Sequence, residues 1–297
     1  MIPTTTALPT PPRTAPSCSD MVGFDPIVQQ LRTYQRIAAG MRAKGIDPRP
    51  HIPFTFVFRG PPDTGKTTTA RRIGKVFYDM GFLASDEVVE CTVSDMVAEY
   101  CGQTGPKVNR LLERALGKVL FIDEAYRLCD TGRSGGGFKT QAIGELVDAV
   151  TKPQFARQMI IILAGYDADM TRILASNAGL RSRFATDVVF PSLGPEQCLV
   201  YLGRSLRKAH IALEPVEEMK PCDRDGVLSC LVRAAEDDGW ASGRSVQVMA
   251  SSIVASVFGC EDLYRHALDE RGMAMVRGEH LAEILESLVP QVKVQIG

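Results

Sequence analysis

The sequence predicts an α/β protein: a parallel five-stranded sheet flanked by helices, followed by a small all-α domain. Three observations predict it. Short apolar runs alternate with helix-period segments as far as about residue 190, the pattern of a parallel sheet covered on both faces. The first of these runs leads into Gly60-Pro61-Pro62-Asp63-Thr64-Gly65-Lys66-Thr67, a Gly-x-x-x-x-Gly-Lys-[Ser/Thr] loop that opens a helix. Beyond Pro195 only helical periods follow.

Taken in order, residues 1–20 are rich in Thr and Pro with little to bury, and read as a disordered tail. They lack the apolar core of a secretory signal; their acidic-poor, hydroxyl-rich composition leaves organelle import open beside a cytoplasmic location. A domain over 21–193 then begins with a helical face of Ile27, Leu31, Tyr34, Ile37 and Ala38. Phe54–Phe58 is a wholly apolar or β-branched strand, and Thr68–Val76 the helix after the loop. Strands are expected at 88–93, 119–122, 159–163 and 188–190. A helix at 106–116 turns Val108, Leu111, Leu112, Ala115 and Leu116 to one side, and another carries Ile143, Leu146, Val147 and Val150. The helical domain, 194–297, has periods at about 195–209, 223–238, 244–257, 261–270 and 279–288.

Composition excludes several classes. The chain has 297 residues, 45% hydrophobic and 23% charged, with a net charge of −1, so it carries no bulk basic footprint for nucleic acid. No apolar stretch approaches the ~20 residues that span a bilayer, which predicts a soluble protein with no membrane partner. Eight cysteines without a Cys-x-x-Cys pair, and four histidines apart from them, argue against a zinc site or disulfide framework and for an intracellular, reducing compartment.

The loop is a phosphate cradle. Backbone N–H groups of the loop 60–68, to which Pro61 and Pro62 contribute none, and the N-terminus of the following helix converge their partial positive charges on phosphate oxygens. Lys66 reaches the β/γ-phosphates, and the Thr67 hydroxyl ligates Mg²⁺. Val119-Leu-Phe-Ile-Asp123-Glu124 places two carboxylates at the C-terminal end of a buried strand, the edge where α/β sheets bind ligands. There Asp123 serves Mg²⁺ through water, and Glu124 polarises the water that attacks the γ-phosphate. Ser242-Gly243-Arg244-Ser245 opens a helix with a cation in its first turn. That opposes the macrodipole unless an anion lies nearby.

GPPDTGKT and VLFIDEA resemble the AAA+ ATPases. The stretches DMVAEYCGQTGPKVNRLLERALGKVLFIDEAYRL and IIILAGYDADMTRILASNAGLRSRF are similar to the red-type Rubisco activase (CbbX) and sporulation-protein-K-like branch, over about 21–248. The resemblance implies a P-loop fold with a helical lid, the substrate-cofactor pair ATP and Mg²⁺, and a hexameric ring acting on a protein. It implies an arginine finger at Arg183, with Arg181 the second candidate, and a second sensor at Arg244. It also counts Val22, Gly23, Thr68 and Tyr166 with the nucleotide-binding residues. Tyr100-Cys101-Gly102 matches a substrate-gripping pore loop, with packing of Tyr100 the plain alternative. Gly132–Gly137 is either a second pore loop or a linker.

Two positions depart from that pattern. Asp63 stands where the family usually has Gly; Asp tolerates φ > 0 but brings negative charge toward a triphosphate. Ala164-Gly165-Tyr166 replaces the polar first sensor of many AAA+ proteins, as in the activase branch. Two readings follow: a Mg²⁺-dependent ATPase that remodels a protein, or a nucleotide-responsive scaffold with little or no hydrolysis. A P-loop kinase or helicase fits the Arg181/Arg183 region and the Gly-Arg step poorly.

Overall fold

A computed structural model of the chain describes residues 25–98, 100, 102–129, 136–235, 243–259 and 272–295. The tail 1–20, Val22 and Gly23, loop positions 132–135 and the helix expected at 261–270 lie outside the described residues. The chain divides into two compact units, Met1–Gly60 with Gly65–Phe190 and Pro61–Thr64 with Pro191–Gly297.

The first unit is built on five strands. They are β1 (Thr55–Arg59), β2 (Val88–Cys91), β3 (Val119–Ile122), β4 (Ile160–Gly165) and β5 (Asp187–Val189). Their order is β2-β3-β4-β1-β5 and every pairing is parallel, with Val57 opposite both Leu163 and Asp187, and Ile122 opposite Leu163. The helices are α1 (Asp25–Arg42), α2 (Lys66–Asp79), α3 (Val93–Met96), α4 (Thr104–Arg114), α5 (Gly136–Ala149), α6 (Asp167–Ser176) and α7 (Ala178–Arg183). A 3-10 turn, Ala125–Cys129, follows β3.

Period-two alternation explains why β3 and β4 are apolar at every position. Leu120, Ile122, Ile161 and Leu163 pack with Val108, Leu112, Leu146 and Ile173 on one face. Val119, Phe121, Ile160 and Ile162 pack with Ile73, Phe77 and Leu31 on the other. Phe58, fully buried, lies 4.9 Å from the Phe190 ring and 6.4 Å from Phe121. These rings pin β1 between β4 and β5, so the loop that leaves its end starts from a rigid base.

The second unit comprises α8 (Pro195–Arg207), α9 (Pro221–Ala235), α10 (Gly243–Gly259) and α11 (Gly278–Gln295), packed around Leu202, Leu206, Val227, Leu231, Met249, Ile253, Leu281 and Leu285. It is not wholly helical. Two short strands, β6 (Ile211–Leu213) and β7 (Ala274–Val276), pair in parallel. The expectation that no strand follows Pro195 is corrected here. Three residues are too few to display alternation, and the strands are paired across some sixty positions of chain, so no local pattern marks them. Among the described residues no helix is long and apolar enough to cross a membrane.

Candidate nucleotide-binding site

Gly60 leaves β1 with φ 153, and a Cβ there would lie 2.2 Å from the carbonyl oxygen of Phe190. Only a glycine passes this gap between strands. Its amide donates to the Gly165 carbonyl at 3.1 Å, and the amide of Phe190 donates to the Arg59 carbonyl at 2.7 Å. The loop is thereby clamped to the ends of β4 and β5.

Gly65 caps α2 in the left-handed region, φ 89, and has no side chain to accept from the first turn. A helix N-terminus preceded by a glycine in αL is an anion cradle. Lys66 Nζ donates to the Gly60 carbonyl at 2.9 Å, folding its ammonium back across the mouth of the loop. Thr67 is half-buried and Thr68 exposed on the same turn. These residues fit a phosphate chain.

Asp123 follows β3, and its amide donates to the Cys91 carbonyl of the neighbouring strand at 3.0 Å. Its Oδ1 accepts from the Glu124 amide at 2.9 Å, which fixes the carboxylate plane. Glu124 itself is left-handed, φ 50, a backbone state costing of order 1–3 kcal/mol in a non-glycine residue. The turn throws its side chain back toward the 3-10 segment. There Tyr126 donates its hydroxyl to Glu124 Oε1 at 3.2 Å, and Arg127 Nη2 lies 3.2 Å from Oε1 and 3.1 Å from Oε2.

Burial raises the Tyr126 phenol pKa, the arginine contact opposing it and the Glu124 charge adding to it, so the hydroxyl stays a donor. Tyr166, 43% exposed at the start of α6, stacks obliquely on Tyr126 with centroids 5.6 Å apart. Because β1, β3 and β4 run parallel as neighbours, Gly60, Asp123 and Tyr166 share the C-terminal edge of one sheet. The oxygen donors Thr67 and Asp123 suit Mg²⁺, whose remaining shell would come from phosphate and water.

The loop tip, Pro61–Thr64, belongs to the second unit. Thr64 Oγ1 donates to the Pro61 carbonyl at 2.8 Å, closing the turn over Pro62. Asp63 sits at φ 54. The side chain meets Arg244 in the first turn of α10, Nε to Oδ2 3.0 Å. A Cβ on Gly243 would lie 2.3 Å from the Asp63 carbonyl oxygen, so the helix end and the loop tip meet backbone to backbone. The anion that the Arg244 position calls for is Asp63.

The remaining expected residues are dispersed. Arg183 is half-buried: Nη1 donates to its own helix at Gly179 O, 3.2 Å, and Nε is buried without a partner. Arg181 is exposed. Both lie ahead of β5, at the N-terminal edge of the sheet and away from the loop. Tyr100 is 67% exposed, beside a left-handed Gly102 at φ 78. Val22 and Gly23 lie outside the described residues. Sequence reasoning missed Tyr126 and Arg127; their signal was their position two and three residues after Glu124, one 3-10 turn away.

The family described as "ATPase family associated with various cellular activities (AAA)" matches residues 56–192. The chain is 37% identical over 186 residues to the ESX-1 secretion system protein EccA1 of Mycobacterium tuberculosis, covering 60% of this chain and 31% of that protein. It thus spans about a third of that relative's length. It is 32% identical over 236 residues to the chloroplastic ribulose bisphosphate carboxylase/oxygenase activase of Cyanidioschyzon merolae, covering 77% of this chain and 75% of that one. Among solved structures it is similar to the FIGL-1 AAA domain in complex with ADP, with a TM-score of 0.59 over 95% of this chain and 89% of that chain. At 16% identity that likeness speaks for the fold alone.

Proposed function

The chain belongs to the AAA family of ATPases, and from that premise we propose that it binds Mg-ATP, hydrolyses it, and works as a ring of copies that remodels a protein partner. The observation that carries the reading is the shared sheet edge: a glycine-led helix with Lys66 after β1, and Asp123-Glu124 after β3. In this reading binding and activation are carried by two strands of one sheet, with β4 between them.

In this reading the loop 60–68, through the amides of its non-proline residues, and Lys66 hold the triphosphate, and Thr67 and Asp123 hold Mg²⁺. The metal supplies charge neutralisation on the transferring phosphoryl group. Glu124 Oε accepts a proton from the attacking water, directing its lone pair at phosphorus. Arg183, with Arg181 second, is the finger offered to a neighbouring copy, and Arg244 is the sensor, a guanidinium already turned toward an anion. Tyr100 is the gripping aromatic. From the activase's name the reading takes only that the target is a protein.

Asp63 favours a second reading, a nucleotide-responsive scaffold. Its carboxylate adds negative charge to the phosphate loop and already occupies Arg244. ATP turnover of the wild type against Lys66→Ala, across concentrations that permit assembly, separates the two. Turnover no higher than that of Lys66→Ala ends the hydrolase reading, and retained nucleotide binding then selects the scaffold.

A further inference from the structure

Arg127 belongs to two places at once. Its Nη2 holds both oxygens of Glu124. Its side chain, 60% exposed, also lines a cleft of about 600 Å³ with Val97, Tyr100, Gln103, Lys107 and Lys139. Among the described residues lining that cleft, three carry positive charge and none carries negative charge. Lys107 is fixed there, its ammonium donating to the carbonyls of Ser94 at 2.7 Å and Val97 at 2.8 Å. An aromatic that is two-thirds exposed stands at the same cleft.

We propose that this cleft takes an acidic segment of the protein partner, and that the segment's carboxylate draws Arg127 off Glu124, so that occupancy of the cleft releases the hydrolytic base. The inference rests on the hydrolase reading of Glu124. The geometry favours the exchange. Glu124 receives one nitrogen of the guanidinium, whereas an incoming carboxylate can take the two-nitrogen fork, the stronger and more directional arrangement. Both partners of the existing pair are solvent-exposed, so the contact is weak enough to be displaced.

While the contact holds, Glu124 Oε1 accepts from Tyr126 and Arg127 and Oε2 pairs with Arg127, so both oxygens are already engaged when water arrives. Lys107 and Lys139 supply the charge complementarity that selects an acidic over a basic peptide. Tyr100 offers the apolar face on which a peptide backbone lies.

The test uses the full chain and a fluorescein-labelled deca-glutamate peptide, with deca-lysine as the control. Anisotropy reads binding without reference to turnover. Wild type binds deca-glutamate and not deca-lysine, and Arg127→Ala weakens binding roughly two- to fivefold, the scale of one exposed ion pair. Turnover reads the coupling. Deca-glutamate raises wild-type ATP hydrolysis, while Arg127→Ala shows raised basal hydrolysis that the peptide no longer changes. Arg127→Lys retains a response, which a merely structural role for Arg127 does not predict.

Absence of deca-glutamate binding, or equal binding by deca-lysine, overturns the acidic-peptide assignment. An intact stimulation in Arg127→Ala overturns the coupling. If no form of the chain turns over ATP, the hydrolase reading and the coupling fall together, and the anisotropy alone still decides the cleft.

Discussion

Arg244 Nε stands 3.0 Å from Asp63 Oδ2, joining the first turn of α10 to the tip of the glycine-rich loop through one ion pair. A cation at a helix N-terminus faces the positive end of the macrodipole, and Asp63 offsets that mismatch. The same loop residue holds a left-handed backbone at φ 54. One side chain therefore satisfies Arg244 while adding a negative charge where triphosphate is expected.

Asp63→Gly removes the charge and suits the positive φ. ATP then binds roughly three- to tenfold more tightly, as for ~1 kcal/mol of repulsion removed. Titration with a fluorescent ATP analogue measures it. An unchanged affinity removes the ground for the scaffold reading.

Gly60→Ala places a methyl 2.2 Å from the Phe190 carbonyl oxygen, backbone that belongs to the sheet. The fold loses about 2–4 kcal/mol, from overpacking and strain together. Gly144→Ala is the opposite case: exposed, inside α5, with open space around its Cα. It gains about 0.5–1 kcal/mol. Denaturant midpoints of the two variants against wild type should move in opposite directions.

What was legible in the sequence follows from the length of each signal. β3 was expected at the residues it occupies, because four apolar positions are bounded by a turn and by two carboxylates. β1 and β4 were expected within two residues, since burial on both faces makes them continuous apolar runs. β6 and β7 were invisible, being three residues each with their partner far along the chain. The loop and Asp123-Glu124 were readable as motifs, and the family resemblance is upheld by the activase relative. The engagement of Glu124 with Tyr126 and Arg127 was not readable. It depends on a positive φ at Glu124, which sequence does not disclose for a non-glycine residue.

Cys91 is 4% exposed, and burial pushes its thiol up to about 12, with Asp95 adding to the shift and Arg114 opposing it. The thiolate is the reactive species, so Cys91 resists iodoacetamide at pH 8 in the folded protein, whereas the exposed Cys222 reacts. Peptide mass spectrometry checks this. The pH dependence has a defined sign. The unfolded thiol ionises near 9 and the folded one does not, so stability is unaffected below about pH 9 and falls as pH rises toward 12. Cys91→Ala flattens that part of the curve.

Arg183→Ala should lower turnover more than Arg181→Ala while leaving ATP affinity unchanged, because a finger serves a neighbour's transition state and not its own nucleotide. The expected loss is of order 10³-fold. Arg183 also bonds Gly179, so a melting curve must accompany the rate. A larger loss for the exposed Arg181 reverses the assignment.

The central claim is hydrolysis directed by Glu124. The measurement that tests it most directly is ATP binding and steady-state turnover of Glu124→Gln beside wild type, at concentrations spanning assembly. The account predicts ATP affinity within about twofold of wild type and turnover reduced by about a hundredfold or more, the scale of a lost general base. Wild-type-like turnover in Glu124→Gln, or loss of ATP binding with it, would contradict the account.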